Sequence, residues 1–290
     1  MILRLLTLIP FALFASPTIA SVPGDEPITR HNIAACAQAL QTQATASLQD
    51  FPQPLRLRSW NVMKFDLPGA REELQRMSHN ADLVFLQESP RGTGRAPETQ
   101  KYRYFSPGYS RGREASGVEI RSKIPADLVC QFTFTEPWLR TPKAVSAVRL
   151  PFRKSALLLI NLHAINFTFT ARHYRKNLAE LSQLVQTHQG PIIVAGDFNH
   201  WNSWRALALR SWARTLDLAE VDFDPDWRSK HLGAHVDTIF IRGLSAIASA
   251  ALPTTRSDHH AIMASIVLLE EPKDSAADNL VADGAPAPRH

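Results

Sequence analysis

Residues 55–60 read Leu-Arg-Leu-Arg-Ser-Trp, largely apolar at alternate positions, the period of a strand with one buried face. Residues 117–121 also read as a strand. Short apolar runs bounded by polar or turn residues recur over 82–86, 128–134, 143–150, 155–162, 191–195, 236–241 and 261–269, and each predicts a buried strand. Helical spacing appears over 31–48, 70–79, 171–188 and 203–215. Segment 89–113, rich in Arg, Gly, Pro and Tyr, reads as a long loop, and 21–30 as a polar linker. Strands outnumber helices without a regular strand–helix repeat. This predicts an α/β fold of layered sheets. No composition shift breaks the central region, so one domain is expected over 51–270, preceded by a linker and helix over 21–50. Residues 271–290, rich in Ala, Pro and Asp, are expected to be disordered.

The first twenty residues change the setting. Arg4 precedes an apolar run over 5–14, and Thr18 and Ala20 supply small residues at the usual cleavage positions. This predicts a signal peptide cleaved near Ala20 and a secreted or periplasmic protein. The run is shorter than the about 20 residues a spanning helix needs, and no integral membrane segment is expected in the mature chain. In an oxidising compartment Cys36 and Cys130 are either bridged or two buried thiols. The 44% apolar and 20% charged composition is that of a globular protein and excludes wholesale disorder. Two cysteines exclude a four-cysteine zinc site. A net charge of +5 favours an anionic partner.

Several apolar runs end or begin at polar residues. These are Glu88, His163, Asp197 with Asn199, and Asp258 with His259. Acids, amides and imidazoles at strand ends can face one shared mouth, where α/β folds place ligands. A set rich in oxygen donors and free of thiolate suits a hard cation, Mg²⁺ first and Mn²⁺ or Ca²⁺ next. Such a site points to metal-assisted phosphate chemistry. No phosphate-binding P-loop or Gly-x-Ser-x-Gly nucleophile motif occurs.

Trp60-Asn61, Leu86-Gln87-Glu88, Gly196-Asp197-Phe198-Asn199, His235-Val-Asp237-Thr-Ile-Phe240 and Ser257-Asp258-His259 resemble, in order, the motifs of the endonuclease/exonuclease/phosphatase superfamily, the group of deoxyribonuclease I-like nucleases, sphingomyelinases and inositol polyphosphate phosphatases. Segment 117–125 resembles a further motif, with Glu119 where an apolar residue is usual. The resemblance implies a four-layer α/β/β/α sandwich of two packed mixed sheets flanked by helices. It implies that Glu88 is the principal metal ligand, with Asn61 beside it and Asp258 linked to metal or water. Asp197 and Asn199 would orient the attacking water and hold the phosphate. His259, fixed by Asp237, is the first choice for general base, with Asp197 its rival. His163 would touch the scissile phosphate, with Asn166 in support and Lys143 within reach.

The expected activity is metal-dependent phosphodiester hydrolysis by a monomer. Nucleic acid is the favoured substrate. A lipid headgroup substrate is the alternative, and a non-catalytic binding module a third reading. Within 89–113, basic residues including Arg103, Arg111 and Arg113 interleave with tyrosines, a pattern suited to a phosphate backbone and its bases.

Overall fold

A computed structural model describes residues 26–92, 100–111, 114–153, 155–168 and 170–269. The expected leader, the expected disordered tail and Arg113 lie outside the described residues.

Two sheets carry the fold. In chain order, the strands of the seven-stranded sheet are β1 (Ile28–Arg30), β6 (Leu128–Thr135), β7 (Pro142–Pro151), β8 (Ala156–His163), β9 (Ile192–Asp197), β10 (Ala219–Glu220) and β13 (Asp237–Arg242). Their spatial order is β1-β6-β7-β8-β9-β13-β10. The six-stranded sheet is built from β2 (Leu55–Asn61), β3 (Leu83–Pro90), β4 (Tyr102–Arg111), β5 (Glu114–Ser122), β14 (Leu244–Leu252) and β15 (Ala261–Leu268), in the order β14-β15-β2-β3-β5-β4. A small ribbon pairs β11 (Lys230–His231) with β12 (Ala234–His235). Both large sheets mix parallel and antiparallel neighbours.

Alternation sorts the side chains into three apolar layers. Leu158, Ile160 and Leu162 of β8 face α1 (Ile33–Leu40), α3 (Ala171–Thr187) and α4 (Ser203–Thr215). Leu157 and Leu159 point the other way, into a core shared with Leu55, Leu57, Leu83 and Phe85 of the second sheet. Trp60, Val84 and Leu86 pack on the outer side of that sheet with Leu74 of α2 (Ala70–Ser78). The order helix, sheet, sheet, helix is the expected four-layer sandwich. Strands buried on both faces read as continuous apolar runs, which is why β8 and β9 show no alternation.

Two expectations are corrected, and one strand leaves no pattern in the sequence. The helix over 31–48 stops at Leu40, and the following polar stretch is irregular. The loop over 89–113 contains β4, paired with β5 over most of its length, so Tyr102, Arg103, Tyr104, Tyr109 and Arg111 belong to a strand. Pro107 and Gly108 hide that strand from pattern reading, and they sit at a register shift between Pro107 and Ser110. Strand β14 is rich in Ala and Ser and half-exposed, so it has little apolar contrast to read.

Cys36 on α1 and Cys130 on β6 form a disulfide, with 94 residues of sequence separation and both residues buried. Closing a loop of that size stabilises by about 4–5 kcal/mol in the chain-entropy model. Reduction should therefore cost the native protein about 2–5 kcal/mol, read as a lower urea midpoint. Coincident oxidised and reduced curves would show that the bridge adds nothing.

Candidate active site

Strand register gathers the site. On the first sheet His163 stands beside Asp197, and Asp197 beside Asp237, so the three ends form one row across β8, β9 and β13. On the second sheet Asn61 pairs with Gln87, one residue before Glu88. The rows meet where the Asn61 amide donates to Asp197 Oδ2 at 3.1 Å. Below them, Gln87 Nε2 donates to Asn161 Oδ1 at 2.7 Å and ties the sheets again. Gly196 permits this closeness. It has φ 144°, and a Cβ there would sit 2.1 Å from the Leu162 carbonyl. Glu88 (φ 51°) and Asn199 (φ 48°) lie in the left-handed region, Glu88 at an irregularity in the β3–β5 pairing. Such strain in non-glycine residues concentrates at functional sites.

Asp197 is the hub. Its Oδ1 accepts from the Asn199 backbone N–H at 3.0 Å. Its Oδ2 lies 3.5 Å from His163 Nε2 and 3.9 Å from His259 Nε2. The Asn199 side chain donates to the Ala164 carbonyl at 3.1 Å. Ser257 shapes the His259 turn by donating to the Asn61 carbonyl and accepting from the His259 N–H. Asp237 Oδ2 holds His259 Nδ1 at 2.7 Å. Burial alone would push the His259 imidazole down, but Asp237, Asp197 and Asp258 outweigh it and raise it to about 10. The His231 ring stacks on His259 with centroids 4.4 Å apart.

His163 behaves in the opposite way. Burial, then Lys143, push it down to about 4 against the pull of Asp197 and Glu88. Lys143 Nζ lies 2.9 Å from His163 Nε2. A neutral ring with its lone pair on Nε2 accepts that bond, which leaves the proton on Nδ1. Burial pushes the Glu88 carboxyl up, but His163, Lys64 and Lys143 hold it at about 2. Glu88, Lys64, Lys143, His163 and Tyr109 line one cavity of about 310 Å³.

The remaining expected residues divide. Lys143 is in the site. The Asn166 side chain does not support His163; its Oδ1 accepts from Trp201 Nε1 at 2.7 Å. Asp258 is exposed, and its charge bears on both His259 and Lys64. Arg103 makes a two-pronged ion pair with buried Glu119 at 2.8 and 3.0 Å, and Arg121 bonds the same carboxylate. A buried carboxylate needs such partners, and the unusual Glu119 takes Arg103 as one of them. Arg111 ends β4, and its side chain, like all of Arg113, lies outside the described residues.

Pattern reading missed Lys64, Glu136 and Arg205. Lys64 Nζ reaches Glu88 Oε2 at 2.9 Å from a turn in which Met63, Lys64 and Phe65 all have positive φ. Glu136, fully buried, accepts from the Asn166 and Phe167 N–H groups. Arg205, also fully buried, donates to the Ile165, Asn166 and Asn199 carbonyls. Only tertiary contact gives these residues meaning; their sequence context is an ordinary turn, strand end and helix start.

The donor chemistry fits an oxygen-seeking divalent cation. Glu88, Asp197 and Asn61 offer carboxylate and amide oxygens, and the Lys64 ammonium on Glu88 shows that a positive charge is at home there. The sequence profile of the endonuclease/exonuclease/phosphatase family matches residues 59–259. The chain belongs to that family. A UPF0294 protein of Vibrio parahaemolyticus is 32% identical over 285 residues, covering 92% of this chain and 98% of the relative. D. rerio TDP2 complexed with single-strand DNA product aligns with TM-score 0.54 and 17% identity, over 74% of this chain and 100% of that one. A mutant beta toxin from Staphylococcus aureus with bound magnesium ions aligns with TM-score 0.53 and 17% identity, over 73% of this chain and 99% of that one. At these identities the two structures share the fold.

The state of His259 is measurable. Because its folded value is raised from near 6.5 to about 10, its contribution to stability is complete below pH 6.5 and is lost as pH rises through 10. Nitrogen NMR should find both ring nitrogens protonated at pH 8, and Asp237→Asn should return the ring toward neutrality at that pH. A neutral His259 in the wild type at pH 8 would contradict this electrostatic description.

Proposed function

We propose that the chain is an exported, divalent-metal-dependent phosphodiester hydrolase. One observation carries this reading: Asp197 Oδ2 lies within 4 Å of Asn61, His163 and His259 together, while Glu88 borders the same point through His163. Acid, imidazoles and a cation-suited carboxylate converge on one point at the sheet ends. Membership of a family of nucleases and phosphatases supports phosphate-ester hydrolysis. The magnesium bound by the beta toxin supports a metal of that type.

A cation held by Glu88, with Asn61 beside it, would neutralise charge on a phosphoryl oxygen. The chain's own groups account for the rest. Lys143, held by His163, and the Asn199 amide orient the phosphate. The oxygen of water bonds to phosphorus as the bond to the leaving oxygen breaks. The proton of that water passes to Asp197, and the leaving oxygen is protonated from solvent. His259, charged at neutral pH, stabilises the developing oxyanion from Nε2. This assignment replaces the expected base role of His259 with the rival, Asp197.

Chelation should abolish turnover of bis-p-nitrophenyl phosphate, and Glu88→Gln should lower kcat by about 10²-fold or more, on the order of losing one electrostatic stabiliser, while circular dichroism stays native. Full activity in EDTA would overturn the metal dependence.

Export is supported by the leader-like residues 1–20 and by the disulfide, which suits an oxidising compartment. Protein from the native host's envelope fraction should begin near Ser21. An intact Met1 on cytoplasmic protein would refute export.

Nucleic acid is the substrate the sequence favours, and TDP2 with its DNA product keeps that chemistry within the fold. The pairing of Arg103 with Glu119 removes part of its local support. A lipid phosphodiester is the second reading, and an apolar cavity walled by segments that also carry Lys143, His163 and Asn199 favours it.

A further inference from the structure

Beyond Asn166 the surface changes character. Trp138, Leu139, Phe167, Thr168 and Trp201 enclose a cavity of about 280 Å³. Trp138, Leu139 and Phe167 are each more than half exposed. Trp204 and Leu207, on the first two turns of α4, add two more exposed apolar side chains nearby in sequence. A cluster of this kind on a protein surface marks a binding face.

The cavity is continuous in chain with the catalytic mouth. Its walls come from three segments, and each segment also supplies a site residue. Trp138 and Leu139 precede Lys143 in the turn from β6 to β7. Phe167 and Thr168 follow His163 at the end of β8. Trp201 follows Asn199 at the end of β9. The walls are also preformed. Glu136 fixes the Asn166 and Phe167 N–H groups, and Arg205 holds the Asn166 and Asn199 carbonyls while stacking on Trp201 with 5.1 Å to the ring centroid.

Polar atoms of the walls are turned inward. Trp201 Nε1 donates to Asn166, and the Thr168 hydroxyl donates to the Thr170 carbonyl and accepts from Arg205. What remains toward the cavity is carbon. A nucleobase placed there would lose hydrogen bonds at its edge without replacement, a desolvation cost that a hydrocarbon does not incur.

We propose that this cavity is a subsite for the alkyl chain of a lipid phosphodiester whose phosphate lies at the Lys143–His163 end. The inference rests on the reading of the adjoining site as a phosphodiesterase and names its substrate class. Phosphate and chain are then held at two ends of one frame built by the same three segments.

The test is a series of methyl, butyl and octyl p-nitrophenyl phosphates. In each, water bonds to phosphorus, the bond to the nitrophenolate breaks, and the alkyl group stays on the phosphate. Wild-type kcat/KM should rise from methyl to octyl, by up to about fourfold per buried methylene. In the double variant Trp138→Ser, Phe167→Ser the octyl-to-methyl ratio should collapse by about tenfold or more. The ratio is insensitive to a general loss of activity or of folded protein. A flat wild-type series, or an equal slope in the variant, would overturn the proposal. So would a thymidine hexanucleotide that loses affinity in the variant while the alkyl series stays flat; that result would make the cavity a base-stacking site. If no ester is hydrolysed, the catalytic reading fails separately. Calorimetric binding of octyl against methyl phosphate then tests the subsite alone, and equal affinities would overturn it.

Discussion

The hydrogen bond from Asn61 to Asp197 is the point on which the site depends. It joins the ends of strands from two different sheets, and neither sheet alone holds enough groups for chemistry. One sheet brings His163, Asp197 and Asp237 in a single register row, and the other brings Asn61 and Glu88. The apolar layer between the sheets sets their spacing. The Gln87–Asn161 bond beneath sets their registry. Buried polar links are costly when half-satisfied, so a relative slip of the sheets would strand several groups at once. This fixes the geometry more strictly than apolar packing could.

Charge in the site is arranged in opposed pairs. His259 stands between Asp237 and Asp197, which outweigh its burial, and keeps its proton, whereas burial and then Lys143 keep His163 neutral. Two imidazoles near one carboxylate thus hold different charges: the aspartates override burial at His259, and burial prevails at His163. Glu88, with Lys64, Lys143 and His163 around it, stays ionised well into acid.

Much of this was legible in the sequence. The strands that carry the site are apolar runs with polar residues at their ends, which mark Glu88, His163, Asp197, Asn199, Asp258 and His259 in the sequence, and the family resemblance adds Asp237. What could not be read depends on contacts between distant segments. Lys64 acts from a turn of unusual backbone conformation, and nothing in Met-Lys-Phe announces positive φ three times in succession. Arg103 looked available because its partner, Glu119, stands sixteen residues away on a neighbouring strand. Glu119 itself was visible as an oddity in its motif, and the two arginines that neutralise it explain why an acid is tolerated there. The N-terminal helix ends at Leu40 although its Gln- and Ala-rich continuation keeps helical composition.

The Glu136 and Arg205 clamps have a consequence for how this surface can change over generations. They hold the backbone of the 165–168 segment from within, through groups on the β6–β7 turn and α4, so its outward side chains do not determine its path. Phe167 can be replaced without moving Asn166 or the ends of β8 and β9. Change on this face is thereby separable from the buried frame: the outward side chain at 167 can be exchanged while the hydrogen bonds that hold the backbone beyond β8 and β9 are left intact.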